Sequence, residues 1–215
     1  MVERLIHRGS TKMIKRYAIL AADVFAKNVG TEAQRQALIE EAWEHRRQNN
    51  QTMGFSNRGC WRSFFKYKDI DWLLDEIKLM VTEAGVHYQQ NDPIYKDKAR
   101  HFSGCEIKYW TNINDQYSKN SLHEHKLFHY VAVYYLQGTG TGDIIFSNPM
   151  NLTEGCNPYA PFTSPISFKP NDGDLFVWPA WLPHETEINL TERNRINIAF
   201  NIRFNAPYNI DYENN

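Results

Sequence analysis

Three histidines and one arginine carry the strongest chemical signal in the sequence. His123 and His125 are separated by a single residue, so on an extended strand both side chains would lie on one face. His184 lies far downstream, and Arg195 follows it by eleven positions. Three imidazoles brought together would hold one divalent metal, such as iron, copper, nickel or zinc. Because a planar guanidinium pairs well with a carboxylate, Arg195 makes this metal site a candidate cosubstrate site.

The sequence offers carboxylates as competing metal ligands. Glu124 would face away from its two neighbouring histidines on a regular strand, and it could ligate only if a bulge reversed the local alternation. His129 lies on the favoured face but further along, so we interpret it as a residue behind the ligands or in the core. Asp115 and Asp143 are more remote, and we interpret both as turn residues. Whether the third ligand is His125 or a carboxylate such as Glu124 is left open.

The segments around His184 and Arg195 have patterns that would fix both side chains. An apolar stretch, Asp174–Trp178, is followed by prolines at 179 and 183, which restrict the backbone that presents His184. From Arg195 onward the residues alternate, so Asn197 and Asn201 share its face. A buried arginine without a partner would be costly. Either a protein carboxylate at the sheet rim or the carboxylate of a ligand must therefore satisfy Arg195.

The composition favours a globular protein in a reducing compartment. The chain of 215 residues is 42% hydrophobic and 14% aromatic, which is enough for a large core. A formal net charge of −1 gives no reason to expect nucleic acid or an anionic membrane as the main partner. Cys60, Cys105 and Cys156 are widely spaced, which favours reduced thiols. No signal peptide or membrane span is recognised, and we expect a cytoplasmic protein.

The pattern of elements changes near residue 103. Before it, Tyr17–Phe25 predicts a strand, Thr31 with Gln34 predicts a capping box for a helix reaching about Arg47, and Asp69 and Gly85 are predicted to bound a second helix. After it, β-branched and aromatic runs alternate with turn residues. The predicted strands are Cys105–Asn112, Leu122–His125, Tyr130–Leu136, Asp143–Phe146, Ile166–Lys169, Asp174–Trp178, His184–Asn189 and Arg195–Phe204.

We therefore predict a mainly β protein with flanking helices and a jelly-roll core. All of residues 1–215 would form a single domain. Residues 1–100 would supply an N-terminal strand and supporting helices, residues 101–205 the double-stranded β-helix (jelly roll, cupin-like) core, and residues 206–215 a C-terminal tail.

Several short motifs, in their order and spacing, resemble the iron(II)/2-oxoglutarate-dependent oxygenases, and most closely a branch of bacteria and phages. The resemblance spans about residues 10 to 204. The motifs are Gly59–Ser63, Trp110–Asn112, Asn120–His125, Val133–Leu136, Gly173–Pro179, His184 and Arg195–Asn201.

The resemblance implies a dioxygenase that uses iron(II), 2-oxoglutarate and O2, and that hydroxylates a small-molecule or peptide substrate. It implies iron ligands at His123 and His184, with His125 where the superfamily has Asp or Glu. It also implies that Arg195 binds the far carboxylate of 2-oxoglutarate. Weaker candidates for hydrogen bonds to the cosubstrate are Asn112, Asn197 and Tyr135.

Two other functions fit parts of the pattern. The spacing of Gly173, Pro179 and His184 after the His-x-His motif is also similar to the cupins, although Trp181 stands where cupins have glycine. A cupin-type three-histidine dioxygenase or isomerase would not use 2-oxoglutarate and would not need Arg195. A non-catalytic jelly-roll binding module is the third alternative. Four tryptophans are candidates for the substrate mouth, although large aromatics are more often core: Trp61, Trp110, Trp178 and Trp181.

Overall fold

The computed structural model describes residues 4–6, 14–16, 22–52, 54, 56–91, 104–147 and 165–204. The helices are α1 (Glu32–Gln48) and α2 (Asp71–Asn91). The strands, in chain order, are β1 (Arg4–Ile6), β2 (Ile14–Arg16), β3 (Phe25–Asn28), β4 (Asn57–Arg58), β5 (Trp61–Ser63), β6 (Cys105–Asn114), β7 (Lys119–Asn120), β8 (Tyr130–Gln137), β9 (Ile144–Phe146), β10 (Ile166–Phe168), β11 (Asp174–Pro179), β12 (His184–Thr186) and β13 (Arg195–Phe204).

Helix α1 begins as its sequence predicts. The Thr31 side chain accepts a hydrogen bond from the Gln34 backbone N–H, and the Gln34 side chain accepts one from the Thr31 backbone N–H. This capping box satisfies two backbone donors that a helix N-terminus otherwise leaves unpaired. Leu38 and Ala42 are buried on the face of the helix that packs against the sheet.

Helix α2 differs from the prediction at both ends. It begins at Asp71 rather than after an Asp69 cap, because the carbonyl of Ile70 already accepts the first bonds, from the N–H groups of Leu73 and Leu74. It also continues past Gly85 to Asn91. A glycine inside a helix costs only about 1 kcal/mol, which the packed face of the preceding turns offsets. That buried face consists of Leu73, Ile77, Met80, Val81 and Ala84.

The main sheet has six antiparallel strands in the order β3-β11-β8-β13-β6-β5. One face packs against α1 and α2 and forms the larger core cluster, which contains Tyr134, Leu175 and Phe200. Alternate residues on the other face form a second cluster with Val133, Phe176 and other side chains. Strand alternation therefore gives each central strand two buried faces, and the inner face is the one that carries polar chemistry.

A smaller sheet, in the order β10-β9-β12, faces the inner side of the main sheet. Ile144 and Phe146 of β9 pack in the same inner cluster as Trp178 of the main sheet. Two facing antiparallel sheets joined by long-range strand pairing form the predicted jelly roll. Among the described residues, no helix is both long enough and apolar enough to span a membrane.

Most predicted strands in the second half are present, with shifted ends. Arg195–Phe204 is confirmed with both ends as predicted. The prediction of a strand at Leu122–His125 is wrong, because only His123 makes an isolated bridge, to His184, before the chain turns at 126–127. Of the predicted Tyr17–Phe25 strand, residues 17–21 lie outside the described residues, residues 22–24 are irregular, and β3 begins at Phe25.

Candidate metal centre

The structure brings His123, His125 and His184 together. One ring nitrogen from each lies within 4.8 Å of the others, and these three residues form the group of potential metal ligands found among the described residues. The backbones of His123 and His184 exchange two hydrogen bonds of 3.0 Å, which fixes their separation. The N–H of His125 donates to the carbonyl of Ala180 at 3.0 Å. Main-chain pairing between two distant segments therefore positions all three imidazoles.

Each imidazole is held through its Nδ1 atom. Nδ1 of His123 lies 2.7 Å from the Ser121 carbonyl, and Nδ1 of His184 lies 3.0 Å from the Leu182 carbonyl. Nδ1 of His125 lies 2.6 Å from Oδ1 of Asn201. Since these partners are acceptors, each Nδ1 carries the proton and each Nε2 keeps its lone pair.

One of those Nε2 lone pairs lies in an environment that a metal ion would complete. Nε2 of His125 is buried and has no hydrogen-bond partner among the described residues. A buried polar atom without a partner is costly in a native protein. Three imidazoles oriented by Nδ1 acceptors are the donor set that iron, nickel, copper or zinc accepts. The residues therefore fit a divalent transition metal.

The surroundings keep the three imidazoles unprotonated at neutral pH. Burial, together with the smaller effects of His123 and Arg62, lowers the pKa of His125 to about 4. Burial also lowers the pKa of His123 and holds the pKa of His184 well below its ordinary value. Neutral imidazoles can bind a metal without first releasing a proton.

We expect the metal-free protein to lose stability as the pH falls from about 6.5 toward about 4, the pKa values of His125 when exposed and when folded. In this range the unfolded chain binds a proton at His125 that the folded chain does not. The free energy of unfolding therefore rises with pH and reaches its full value above the pKa of His125 in the unfolded chain. Urea unfolding at about pH 7 and about pH 5 measures the difference. His125→Phe should reduce it, and an unchanged difference in that variant would contradict the assignment.

Aromatic rings pack around the three imidazoles. Trp110 stacks on His125 with ring centroids 5.8 Å apart and an interplanar angle of 17°. Trp178 packs edge-on against His184, with ring centroids 4.8 Å apart. The guanidinium of Arg62 lies over Trp110, 4.3 Å from the ring centroid, and its burial lowers the pKa of Arg62 to about 10. The site therefore has rigid walls and positive charge nearby.

The imidazoles line a cavity with about 430 Å³ of empty space, counting the solvent in its open mouth. Trp110, Val131, Val133, Ile144 and Ala199 form its apolar walls. Its polar lining consists of Ser56, Asn112, Asn120, Tyr135, Glu185, Thr186 and Asn197, together with the three histidines.

Arg195 is fully buried behind the cavity wall. Its Nη1 donates to the carbonyls of Thr141 at 2.9 Å and Glu187 at 3.1 Å, and its Nη2 donates to Oγ1 of Thr186 at 2.8 Å. Thr186 is itself part of the cavity lining. Gly142, with φ +99°, leaves room for this guanidinium, since a Cβ atom there would lie 3.2 Å from Nη1.

The hydrogen bonds of Arg195 leave some of the N–H donors of its guanidinium without an acceptor among the described residues. A guanidinium has five donor hydrogens. Nε is buried without a partner among the described residues, and Nη2 has a second hydrogen beyond the one given to Thr186. Burial lowers the pKa of Arg195, yet an arginine stays protonated in a protein. The remaining donors and the buried charge fit a carboxylate.

Two asparagines and a tyrosine complete the polar wall. Nδ2 of Asn112 donates to Oδ1 of Asn197 at 2.8 Å, because the two residues are paired across β6 and β13. Oδ1 of Asn112 is buried without a partner among the described residues. Burial raises the pKa of Tyr135 to about 12, so its phenol stays protonated and can donate. The wall therefore offers both donors and an acceptor to a ligand.

The alternative metal ligands lie elsewhere. Glu124 forms an exposed ion pair with Lys126 at 3.3 Å. Asp115 pairs with Arg46 beside a turn, as predicted, whereas the backbone carbonyl of Asp143 accepts the N–H of Glu187 at the end of the β9–β12 pairing rather than in a turn. The interpretation of His129 as a core or supporting residue is wrong, because it is exposed and its Nδ1 accepts from the backbone of Phe204.

The four tryptophans have different positions. Trp110 lines the cavity, and Trp181 is 45% exposed. Trp61 belongs to the core beneath the helices and Trp178 to the core between the sheets, where large aromatics are usual.

Sequence reasoning missed Thr186 and Asn201 as site residues. Thr186 lies two residues beyond His184 on β12, so strand alternation already placed it on the same face. Asn201 was placed in phase with Arg195, but the hydrogen bond that it makes to His125 depends on long-range packing.

A protein-family model matches the part of the chain that contains these residues. Residues 108–201 match the family model described as "Putative 2OG-Fe(II) oxygenase". This segment contains the three histidines and Arg195. No curated protein matches the sequence.

Solved structures with low sequence identity share the fold. A prolyl-4-hydroxylase from Pseudomonas putida is 12% identical, with a TM-score of 0.58 over 85% of this chain and 93% of that chain. A prolyl hydroxylase from Trichoplax adhaerens, in complex with a hypoxia inducible factor peptide fragment, is 10% identical, with a TM-score of 0.57 over 85% and 83%. HygX from Streptomyces hygroscopicus, with nickel and 2-oxoglutarate bound, is 13% identical, with a TM-score of 0.52 over 86% and 84%.

These likenesses establish a double-stranded β-helix core of the kind found in such oxygenases. The family match covers residues 108–201, less than half of the chain, and shows that this segment is similar to the 2OG-Fe(II) oxygenases, which are iron- and 2-oxoglutarate-dependent oxidoreductases. The match favours this class over the cupin and the non-catalytic alternatives.

Proposed function

We propose that this chain is an iron(II)- and 2-oxoglutarate-dependent oxygenase. It would hydroxylate its substrate at iron(II) held by His123, His125 and His184, with Arg195 anchoring the far carboxylate of 2-oxoglutarate. The observation that carries the proposal is the convergence of three Nδ1-anchored imidazoles within 4.8 Å, in a cavity whose wall residue Thr186 is bonded to Arg195. When bound, iron(II), 2-oxoglutarate and O2 supply an oxidant for C–H hydroxylation, releasing succinate and carbon dioxide.

The residues of this chain bind and orient rather than react. The imidazoles present neutral lone pairs to the metal, and their Nδ1 acceptors keep the rings from turning. Arg195 and Thr186 are fixed to one another, so a carboxylate placed against them would have a defined direction. The packed walls, including Val131, Val133 and Ile144, exclude bulk water from the inner end of the cavity.

The absence of a carboxylate from the three-ligand group distinguishes the proposed site. Three neutral imidazoles leave the full double charge of the metal uncompensated, and Arg195 adds a further buried positive charge. A dianionic 2-oxoglutarate would neutralise much of this charge, so electrostatics favours its binding. We assign the weaker role of hydrogen bonding to the cosubstrate to Asn112, Asn197 and Tyr135, which line the same cavity.

The substrate is proposed to be a small molecule or a peptide. The cavity opens to solvent, and one structural neighbour was solved with a peptide fragment bound, which supports a peptide as one of the two candidates.

An anaerobic titration tests the function directly. Iron(II) followed by 2-oxoglutarate should produce a weak visible charge-transfer band, because chelation by the keto acid brings its keto group onto the metal. Tight iron binding without a band would favour a cupin-type enzyme that does not use 2-oxoglutarate. Failure to bind iron would contradict the proposal and favour a non-catalytic module.

A further inference from the structure

We infer that Asn201 is a positioning residue that makes His125 a metal ligand, by fixing the ring in the form whose Nε2 faces the other two histidines. The inference rests on the proposed function, since it assumes that the three histidines bind the metal. Asn201 itself is not a ligand; it acts through the 2.6 Å hydrogen bond from Nδ1 of His125 to its Oδ1.

The backbone explains why His125 needs a side-chain partner. His123 and His184 each use the carbonyl two residues earlier, from Ser121 and Leu182. For His125 the corresponding carbonyl is that of His123, and it already accepts the N–H of His184 in the bridge between the two segments. Nδ1 of His125 instead uses the amide oxygen of Asn201, while the His123 carbonyl pairs with the His184 segment.

Packing limits rotation of the His125 ring, so the hydrogen bond at Nδ1 decides which ring nitrogen carries the proton. Trp110 stacks on its face at 5.8 Å, and Nε2 is buried without a partner among the described residues. Asn201 lies on β13 in phase with Asn197 and Ala199, which line the cavity. If the amide were reversed, its NH2 group would donate to Nδ1, the proton would move to Nε2, and the ring could not ligate through that atom.

The use of an amide also keeps negative charge away from the metal. A carboxylate at this position would raise the basicity of the imidazole. Two backbone carbonyls and one amide oxygen hold the three rings, so within the described part of the chain no acidic group bonds to an imidazole Nδ1. Asn201→Asp would restore one negative charge without changing the side-chain length, whereas Asn201→Leu would keep the approximate shape and remove the acceptor.

The first test uses the metal-free full chain with ¹⁵N-labelled histidine. Ring-nitrogen NMR should show His125 protonated at Nδ1 in the wild type and shifted toward Nε2 protonation in Asn201→Leu. Asn194→Leu is the matched control, because it removes a 2.7 Å side-chain bond to Asp115, which lies outside the histidine group. A wild-type His125 protonated at Nε2, or an unchanged proton position in Asn201→Leu, would overturn the inference.

The second test measures nickel(II) affinity by calorimetry without 2-oxoglutarate. Loss of an outer partner of a metal-bound histidine typically weakens binding by about 10- to 100-fold, so Asn201→Leu should show this loss. Asn201→Asp should bind at least as tightly as the wild type, and Asn194→Leu should be unchanged. Equal affinity of Asn201→Leu and the wild type would overturn the inference.

The two tests separate the inference from the proposed function. If the wild type binds no metal, the proposed iron site fails. The NMR result in the metal-free chain would then still decide whether Asn201 sets the proton position of His125. Urea unfolding of both leucine variants accounts for any common loss of folding stability.

Discussion

Replacement of His184 by alanine is expected to abolish tight iron binding and all 2-oxoglutarate-dependent succinate formation. Loss of a direct ligand should cost more than the 10- to 100-fold typical of an outer partner, so we expect affinity to fall by more than about 100-fold. The fold should survive, because the bridge between His123 and His184 is made by main-chain atoms. Calorimetric titration with iron(II) under anaerobic conditions measures the loss.

The matched control for this variant is His129→Ala. His129 is exposed and its Nδ1 bonds to the backbone of Phe204, so its removal should leave the metal affinity unchanged. A His184→Ala variant that binds iron as tightly as His129→Ala would show that the three-histidine group is not the iron site.

Replacement of Arg195 by leucine is expected to weaken 2-oxoglutarate binding by about 30-fold to several thousand-fold. Removing one partner of a buried, hydrogen-bonded charge pair costs about 2 to 5 kcal/mol, and each 1.4 kcal/mol is about tenfold in affinity. Arg195→Lys keeps the charge but loses the planar fork, so its loss should be smaller. The metal affinity without 2-oxoglutarate should stay the same, since Arg195 is not a ligand.

A substrate analogue makes this prediction specific for the far carboxylate. 2-Oxovalerate has the keto acid group of 2-oxoglutarate but lacks the second carboxylate. The wild type should bind it as weakly as Arg195→Leu binds 2-oxoglutarate, and the variant should not distinguish the two compounds. Undiminished discrimination in the variant would place the far carboxylate on another residue. Urea unfolding should also show a loss of stability in Arg195→Leu, because the carbonyls of Thr141 and Glu187 lose a buried donor.

The local patterns of the sequence predicted the strands that carry the site well. Arg195–Phe204 is recognisable because its polar and apolar residues alternate over ten positions, and the same alternation put Arg195, Asn197 and Asn201 on one face. The pairing of β13 with β6 and β8 depends on residues far apart in the chain, and no local pattern encodes it.

The convergence of His123 and His125 was predicted for an incomplete reason. Strand alternation assumes a regular strand, yet this segment makes one bridge and then a backbone bond from His125 to Ala180. The two rings lie together because the backbone of His123 pairs with His184 and the backbone of His125 pairs with Ala180. Leu127, with φ +72°, turns the chain immediately afterwards, and a leucine gives no sequence signal for such a turn.

The role of Arg195 was only half predictable. Its position and its need for a partner follow from burial of a charge on an apolar strand. The actual partners are two backbone carbonyls and a threonine hydroxyl, and these are supplied by the loop at Thr141 and by strand β12 with the residue that follows it. Such contacts arise from the packing of two sheets, so a single sequence cannot specify them.

A crystal structure of the anaerobic complex with iron(II) and 2-oxoglutarate tests the central claim most directly. The account predicts iron bound by Nε2 of His123, His125 and His184 at about 2.1 Å, by analogy with zinc–imidazole distances. It also predicts the far carboxylate of 2-oxoglutarate against the free edge of the Arg195 guanidinium. Iron held by Glu124 in place of His125, or a cosubstrate carboxylate remote from Arg195, would contradict it.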